Sequence, residues 1–261
     1  MSAATTPVFI SARDNPLLVR LRKLAQDGSA YRKLGSVWLE GDHLCAALRA
    51  RGRPAAQSVI AESAWDHDAP LRDLAAWAGR VAVVADAQFK GFSTLESPAR
   101  IGFLLDAPAA VDIAPLAATV VLDRLQDAGN VGSILRSAAA LGVAQALALK
   151  GTAALWAPKV LRAGMGAHFA LRLVEGLDDA ALDALRVPLL ATSSHAGVAL
   201  REATLPHPCA WVLGHEGQGV SAALMGRCAL QVRIPQPGGE ESLNVAAAAA
   251  ICLYESACRG Q

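Results

Sequence analysis

Three short stretches gather the residues that could do chemistry. In the first, Leu122 to Arg136, an apolar run gives way to polar turn residues and then to Asn130, Gly132 and Arg136. Asn130 is placed to cap a helix by accepting a backbone N–H, and Gly129 and Gly132 permit tight packing. Arg136 falls six residues on, between Leu135 and Ala138. A guanidinium beside a buried face calls for an anion or a carboxylate. The second stretch follows Trp211-Val212-Leu213 and reads Gly214-His215-Glu216-Gly217-Gln218-Gly219. Three glycines in six positions bare the backbone to a ligand, with Glu216 embedded among them. The pattern is GxExxG and not the GxGxxG of dinucleotide sites, and the chain has no GxxxxGK phosphate loop. The third follows Val232-Arg233-Ile234 and runs from Pro235 to Val245. Ser242 is a good N-cap for the Ala-rich helix beyond it, and Glu240 and Glu241 lie at that helix's positive end. Asn244, in the first turn, can hydrogen-bond outward. Taken singly, each stretch is equally a capped helix or a plain glycine turn.

The elements that must position these stretches follow from apolar periodicity. After Pro115, short apolar runs at Thr119–Leu125, Ala144–Leu149, Ala170–Val174, Pro188–Thr192, Cys209–Leu213 and Leu230–Ile234 predict strands. Helical segments separate most of them, and a long helix closes the chain from about Leu243 to Cys258. Such alternation implies parallel βαβ units in an α/β sheet covered on both faces. Ligands of these sheets bind in loops beyond the carboxyl ends of the strands, which is where all three stretches fall. The N-terminal third predicts a smaller α/β module. Asn15-Pro16 opens a helix over Leu17–Ala25, and Pro costs nothing in a first turn. Ser36–Leu39, Val59-Ile60, Val81–Val84 and Ile101–Leu105 read as strands, and His43–Ala50 and Leu71–Ala78 as helices. The expected organisation is a module over residues 1–105, a linker over 106–115 containing Pro108 and Pro115, and a second domain over 116–261.

Composition excludes several classes. The 261 residues are 53% hydrophobic and 18% charged, unlike a disordered chain. The five cysteines, Cys45, Cys209, Cys228, Cys252 and Cys258, include no CxxC pair, which argues against a disulfide framework and for a reduced, cytoplasmic setting. Apolar runs such as Val245–Leu253 are far short of the roughly 20 residues that span a bilayer. The N-terminus lacks the pattern of a signal peptide. His43, His67, His168, His195, His207 and His215 form no HxxxH pair, so no metal is expected. The net charge of +1 hides an asymmetry. Residues 1–53 hold nine Lys/Arg against four acids, whereas 106–261 hold eleven against thirteen.

In this order and at this spacing, the three stretches resemble the SpoU/TrmH class of RNA ribose 2′-O-methyltransferases, part of the SPOUT superfamily. Asn130-Val131-Gly132 with Arg136 looks like the first motif, Leu213 to Gly219 like the second, and Ile234-Pro235 followed by Ser242-Leu243-Asn244-Val245 like the third. The N-terminal region is similar to the family's substrate-binding domain at Ile10-Ser11, Asn15-Pro16, Tyr31-Arg32 and Trp38-Leu39-Glu40-Gly41, with Ser93 and Pro98 later. Two departures stand out: Ala128 where the family commonly has Pro, and Ala99-Arg100 where it often has Gln-Gly.

The resemblance implies S-adenosylmethionine as methyl donor, bound by a C-terminal trefoil knot. The implied pocket comprises Thr192, Ser193, Leu213, Gly214, Glu216, Gly217, Gly219, Ile234, Pro235, Gln236, Ser242, Leu243 and Asn244, with the backbone of Gly214, Ile234 and Leu243 holding adenine and ribose. Arg136 matches the residue that engages the RNA phosphate and assists deprotonation of the ribose, and Asn130, Glu216, Ser242 and Asn244 orient it, the ribose and the donor. A homodimer through the closing helix is implied too, with no membrane partner. Arg13, Arg20, Arg22, Lys23, Arg32 and Lys33 become candidate contacts to RNA phosphates. A separate N-terminal domain leans toward ribosomal over transfer RNA as substrate. Two rivals are a non-catalytic RNA-binding or ribosome-assembly protein of the same fold and a nucleotide-dependent oxidoreductase. The intact polar set disfavours the first, and the lack of GxGxxG the second.

Overall fold

The computed structural model describes residues 6–95, 97–193, 196–239 and 242–259. Glu240, Glu241 and His195, all singled out above, lie outside the described residues. The chain forms two units: Met1–Ala109 with Trp156–Phe169, and Ala110–Leu155 with Ala170–Gln261.

The first unit runs β1 (Val8–Ile10), α1 (Pro16–Gln26), α2 (Ala30–Leu34), β2 (Ser36–Glu40), α3 (Asp42–Ala50), β3 (Gln57–Ala61), α4 (Glu62–His67), α5 (Ala69–Ala75), β4 (Val81–Val84), α6 (Asp86–Lys90) and β5 (Ile101–Asp106). α1 starts as its sequence predicts. The Asn15 side chain accepts from the Leu17 N–H at 2.9 Å, Pro16 takes the first turn, and Leu18, Leu21, Leu24 and Ala25 bury one face. The sheet order is β1-β4-β3-β5-β2, parallel from β1 to β3 and antiparallel across β3–β5 and β5–β2. Its aromatic centre is Trp38, Phe89 and Phe92. The Trp38 ring meets Phe92 edge-on at 5.8 Å, and Phe89 lies 4.7 Å from Phe92. Gly102 on β5 is what lets Trp38 lie down: a Cβ there would sit 2.2 Å from the indole and 2.7 Å from the Leu39 carbonyl.

The second unit contains β6 (Thr119–Leu122), α7 (Ala128–Ala140) and β7 (Gln145–Leu149). The chain then contributes α8 (Pro158–Gly164) and a 3-10 turn, Ala167–Phe169, to the first unit, where Val160, Leu161 and Phe169 are buried. It returns for β8 (Arg172–Leu177), β9 (Leu189–Thr192), β10 (Val198–Ala199), β11 (Ala210–Leu213), α9 (Ala222–Met225), β12 (Leu230–Arg233) and α10 (Val245–Arg259). The seven strands form one wholly parallel sheet, β10-β12-β9-β11-β6-β7-β8, as the βαβ alternation implied. Every residue of β6 and β11 is buried, the signature of strands covered on both faces. α7 buries Val131, Ile134, Leu135 and Ala138, and α10 buries Ala249, Cys252, Leu253 and Ser256, each at helical spacing. The buried Trp211 indole N–H donates to Ser256 Oγ at 2.8 Å, tying α10 to the centre of the sheet. Arg259 secures the other end of α10 on the carbonyls of Leu200, Arg201 and Ala203.

Several boundaries differ from the sequence reading, each for a local reason. The helix expected at 71–78 lies at Ala69–Ala75, because the Asp68 carboxylate accepts from the Leu71 N–H and starts it early. The strand expected to reach Leu125 stops at Leu122, where Arg124 turns the backbone at φ 59°. β1 and β10 have three and two residues, too few for a period to show. Among the described residues, no helix is long and apolar enough to cross a membrane.

The Trp38–Gly102 contact sets the first testable point. Gly102→Ala should destabilise the protein by about 1–3 kcal/mol through overpacking, read as a drop in thermal midpoint. An unchanged midpoint would show that the indole has room to move.

Candidate functional site

β12, β9, β11 and β6 are neighbours in a parallel sheet, so their carboxyl ends open along one edge. The loops that leave β9, β11 and β12 enclose a cleft of about 640 Å³. Small-molecule sites are typically of this size, roughly 300–1,000 Å³. Its lining includes eleven residues picked from sequence: Thr192, Ser193, Gly214, Glu216, Gly217, Gly219, Ile234, Gln236, Ser242, Leu243 and Asn244. Two others do not line it. Leu213 is 1% exposed within β11, and Pro235 is exposed away from the lining. Val245, the last residue of the third motif, joins Val220, Met225 and Ala248, which no motif signalled, in an apolar wall. His215 and Gln218 also face the cleft.

The glycines of the β11 loop serve different ends. A Cβ on Gly214 would fall 2.1 Å from the backbone of Gly219 and Val220, so the loop folds on itself only with glycine there. Gly219 has room but sits at φ 67°, the left-handed region. His215 closes the turn between them. Its carbonyl accepts from the Gly219 N–H at 2.8 Å, and its Nδ1 accepts from Gly217 and Gln218 at 3.0 and 3.3 Å.

Glu216 joins this loop to the other two. One carboxylate oxygen accepts from the Asp127 N–H at 3.1 Å and from the Asn130 side-chain amide at 3.3 Å, and the other accepts from the Gln126 N–H at 3.3 Å. Asn130 Oδ1 in turn accepts from Asn244 Nδ2 at 2.9 Å. Asn244 Oδ1 accepts from the Ala246 and Ala247 N–H groups at 2.9 and 3.3 Å. Two cap assignments made from sequence are therefore corrected. Asp127, not Asn130, caps α7, accepting from the Asn130 N–H at 2.7 Å and leaving the Asn130 side chain free for Glu216. Asn244, not Ser242, caps α10, which is why that helix begins at Val245 rather than Leu243.

Partial burial pushes the Glu216 carboxyl up, but hydrogen bonds from its own backbone, from Asp127 and Gln126, and from Asn130 outweigh it. The net result is a carboxyl held below its ordinary value and ionised at neutral pH. Two more contacts hold the loop. Buried Asp123 accepts from the Ser221 N–H at 2.7 Å and from Arg124 Nε at 2.8 Å, and Arg124 also donates to Gln218 Oε1 at 3.2 Å. Sequence reading placed Asp123 and Arg124 at the end of a strand without a role, because their partners lie more than 90 residues away.

Arg136 stands on the exposed face of α7, with neither a carboxylate nor any other hydrogen-bond partner among the described residues. The expected internal counter-charge is absent there because Leu135 and Ala138, not Arg136, turn inward. Gln236 Oε1 is buried at the cleft and likewise has no partner among the described residues. Of the six basic residues proposed to meet RNA, Arg13, Lys23, Arg32 and Lys33 are exposed. Arg22 is half-buried and donates to the Arg13 carbonyl at 2.9 Å. Arg20 is committed to the Leu34 carbonyl at 2.7 Å and to Ser36 Oγ, which ties α1 to β2.

Comparison with known proteins adds to this geometry. The model of the SpoU rRNA Methylase family matches residues 117–254. The chain is 32% identical over 260 residues to an uncharacterized tRNA/rRNA methyltransferase of Synechocystis, covering 95% of this chain and 92% of the other. It is 31% identical over 175 residues to the 23S rRNA (guanosine(2553)-2′-O)-methyltransferase RlmP of Bacillus subtilis, covering 66% and 70%. A crystal structure of an RNA 2′-O ribose methyltransferase superposes with a TM-score of 0.79 at 30% identity, covering 97% of this chain and 98% of that one. The SpoU methyltransferase AviRb of Streptomyces viridochromogenes, in complex with AdoMet, shares the fold at a TM-score of 0.85 and 23% identity, covering 94% and 98%.

The depressed Glu216 carboxyl makes the site sensitive to acid. Its favourable contacts are complete above the ordinary value of 4.5 and are lost as pH falls through the lower folded-state value. An NMR titration of the Glu216 carboxyl should find its midpoint below 4.5 in the native chain and higher in Asn130→Ala. An identical midpoint in the two would show that Asn130 does not hold the carboxylate.

Proposed function

The chain belongs to the SpoU rRNA methylase family, and from that premise we propose that it methylates a ribose 2′-hydroxyl of RNA, ribosomal rather than transfer RNA, with S-adenosylmethionine as donor. The observation that carries the reading is the Glu216–Asn130–Asn244 chain at the rim of a glycine-walled cleft, with Arg136 left uncommitted on α7. The cleft fits the donor on its own evidence. Gly214 leaves bare backbone where a side chain could not go, and Gln236 Oε1 is a buried acceptor in want of a donor such as an amine or a hydroxyl. Thr192, Ser193, Gly214, Ile234, Gln236 and Leu243 would hold it, against the apolar wall of Val220, Met225, Val245 and Ala248. When bound, the donor supplies a methyl group already activated by its sulfonium.

The residues of the chain then have two tasks, to place the 2′-oxygen in line with that methyl and to ease loss of its proton. Glu216 is a poor candidate for the base, because its charge is held by several hydrogen bonds and its carboxyl lies below the ordinary range. Arg136 is a poor base as well, since a guanidinium keeps its proton to a pKa above about 12. Its free fork suits a phosphate of the substrate, where it would steer the ribose and stabilise the developing oxyanion. Arg13, Arg22, Lys23, Arg32 and Lys33 would hold more distant phosphates. Arg20 is excluded from that set by its internal bonds. The knotted chain path and a homodimer formed through α10 belong to the same proposal. Ile251 and Tyr254, 39% and 60% exposed on α10, give that helix an apolar outer face.

Mapping 2′-O-methyl sites in total RNA with and without the protein tests the activity. Arg136→Ala should bind the donor normally in calorimetry and lose at least about 100-fold in methyl transfer. Full activity would sink the role given to Arg136. Replacing Lys23, Arg32 and Lys33 together by Glu should weaken RNA binding and flatten its dependence on salt without moving donor affinity. An unchanged salt slope would remove this face from the RNA path.

A further inference from the structure

Arg124 is one of only two non-glycine residues with positive φ among the described residues, at 59°. That conformation is unfavourable for a residue with a Cβ, and strain of this kind persists where neighbours over-determine it. Here they do. Asp123 Oδ1 and Oδ2 accept from Arg124 Nε and a terminal nitrogen at 2.8 and 3.3 Å. The aliphatic stem passes over Gly151, where an added Cβ would come within 3.3 Å of Arg124 Cγ. The remaining terminal nitrogen donates to Gln218 Oε1 at 3.2 Å. Asp123 is itself fixed, 2% exposed and holding the Ser221 N–H. The guanidinium is thus a rigid fork anchored at one end, and its free tine ends on a residue that lines the cleft.

That contact decides how the Gln218 amide faces. An arginine has only N–H groups to offer, so the amide must turn its oxygen to Arg124 and its NH₂ away. The two N–H bonds of Gln218 Nε2 have no acceptor among the described residues. Glu216 offers only acceptors, and the His215 ring, whose Nδ1 accepts from the turn, keeps a single N–H at Nε2, so Gln218 supplies the amide donor of the Gly214–Gly219 loop.

We infer that Arg124 is a positioning residue that orients Gln218, and that Gln218 Nε2 forms a subsite of the cleft for an oxygen acceptor of the bound donor molecule, a carboxylate or a hydroxyl. This rests on the methyltransferase reading and adds two residues to it. The left-handed backbone is kept because a glycine there, though relaxed, has no fork to set the amide.

The relaxed variant supplies the test. Arg124→Gly suits φ 59° but strips the buried Asp123 carboxylate of its cation, so its thermal midpoint should fall while the chain stays folded at about 25 °C, whereas Gln218→Glu, on the exposed loop, should stay within about 3 °C of the native protein. S-adenosylmethionine affinity, measured by calorimetry on the full chain, should nevertheless fall about tenfold, the scale of one lost hydrogen bond to a charged group. Gln218→Glu keeps an acceptor for Arg124 but loses both N–H donors, and its affinity should fall by a similar factor. Amide exchange in residues 214–221 of the ligand-free protein should quicken in Arg124→Gly and stay native in Gln218→Glu. Native affinity in either variant, each folded at the temperature of measurement, would overturn the inference. Absence of any S-adenosylmethionine binding by the native chain would instead overturn the methyltransferase reading on which it rests.

Discussion

A carboxylate can only accept hydrogen bonds, and the first turn of a helix can only offer N–H groups. Between the carboxylate of Glu216 and the first turn of α10 stand two amides, Asn130 and Asn244, each with one donor end and one acceptor end. Because both termini of the chain are of fixed polarity, neither amide can be reversed without setting donor against donor or acceptor against acceptor. The three loops at the edge of the parallel sheet therefore lock in one arrangement. Asp127, capping α7, makes this possible by relieving Asn130 of that duty. Everything proposed for the cleft depends on this lock: the glycines shape a loop that Glu216 holds in place, and the polar wall stays where the strand ends put it.

The lock also explains which charged groups are left for work. Glu216, Asp123 and Asp127 are all spent on internal N–H groups, so these three acids are structural. Among the described charged residues of the three loops, Arg136 is a cation with no internal partner, as suits a polyanionic substrate. The same sorting is seen in the first unit, where Arg20 joins two elements while Lys23 and Lys33 stay in solvent.

Much of this was legible from residue order. The parallel sheet and most strand positions follow from apolar periodicity, because strand signals are local, and the eleven cleft residues follow from what the resemblance of three strand-end motifs implies. What escaped was non-local. Asp127 and Asn130 are both good caps by type, and the choice between them is made by Glu216, some 89 residues on. Ser242 and Asn244 pose the same ambiguity, resolved by Asn130. Arg136 sits beside apolar residues in sequence yet on the outer face of its helix, a matter of turn phase rather than of neighbours. Arg124 carries no glycine or asparagine to announce a left-handed turn, so its backbone was invisible until its partners were placed.

The segment Trp156–Phe169 lies in the middle of the chain but is built into the first unit. A chain emerging from the ribosome delivers residues 1–109 first, yet α8 with its buried Val160 and Leu161 arrives only after β6, α7 and β7 have been made. The part of the first unit's core that α8 supplies is therefore made only after β6, α7 and β7 have been synthesised. For the same reason the boundary near residue 109 is not a place where the protein can be cut in two. Any exchange of this unit between relatives would have to move two pieces of chain at once.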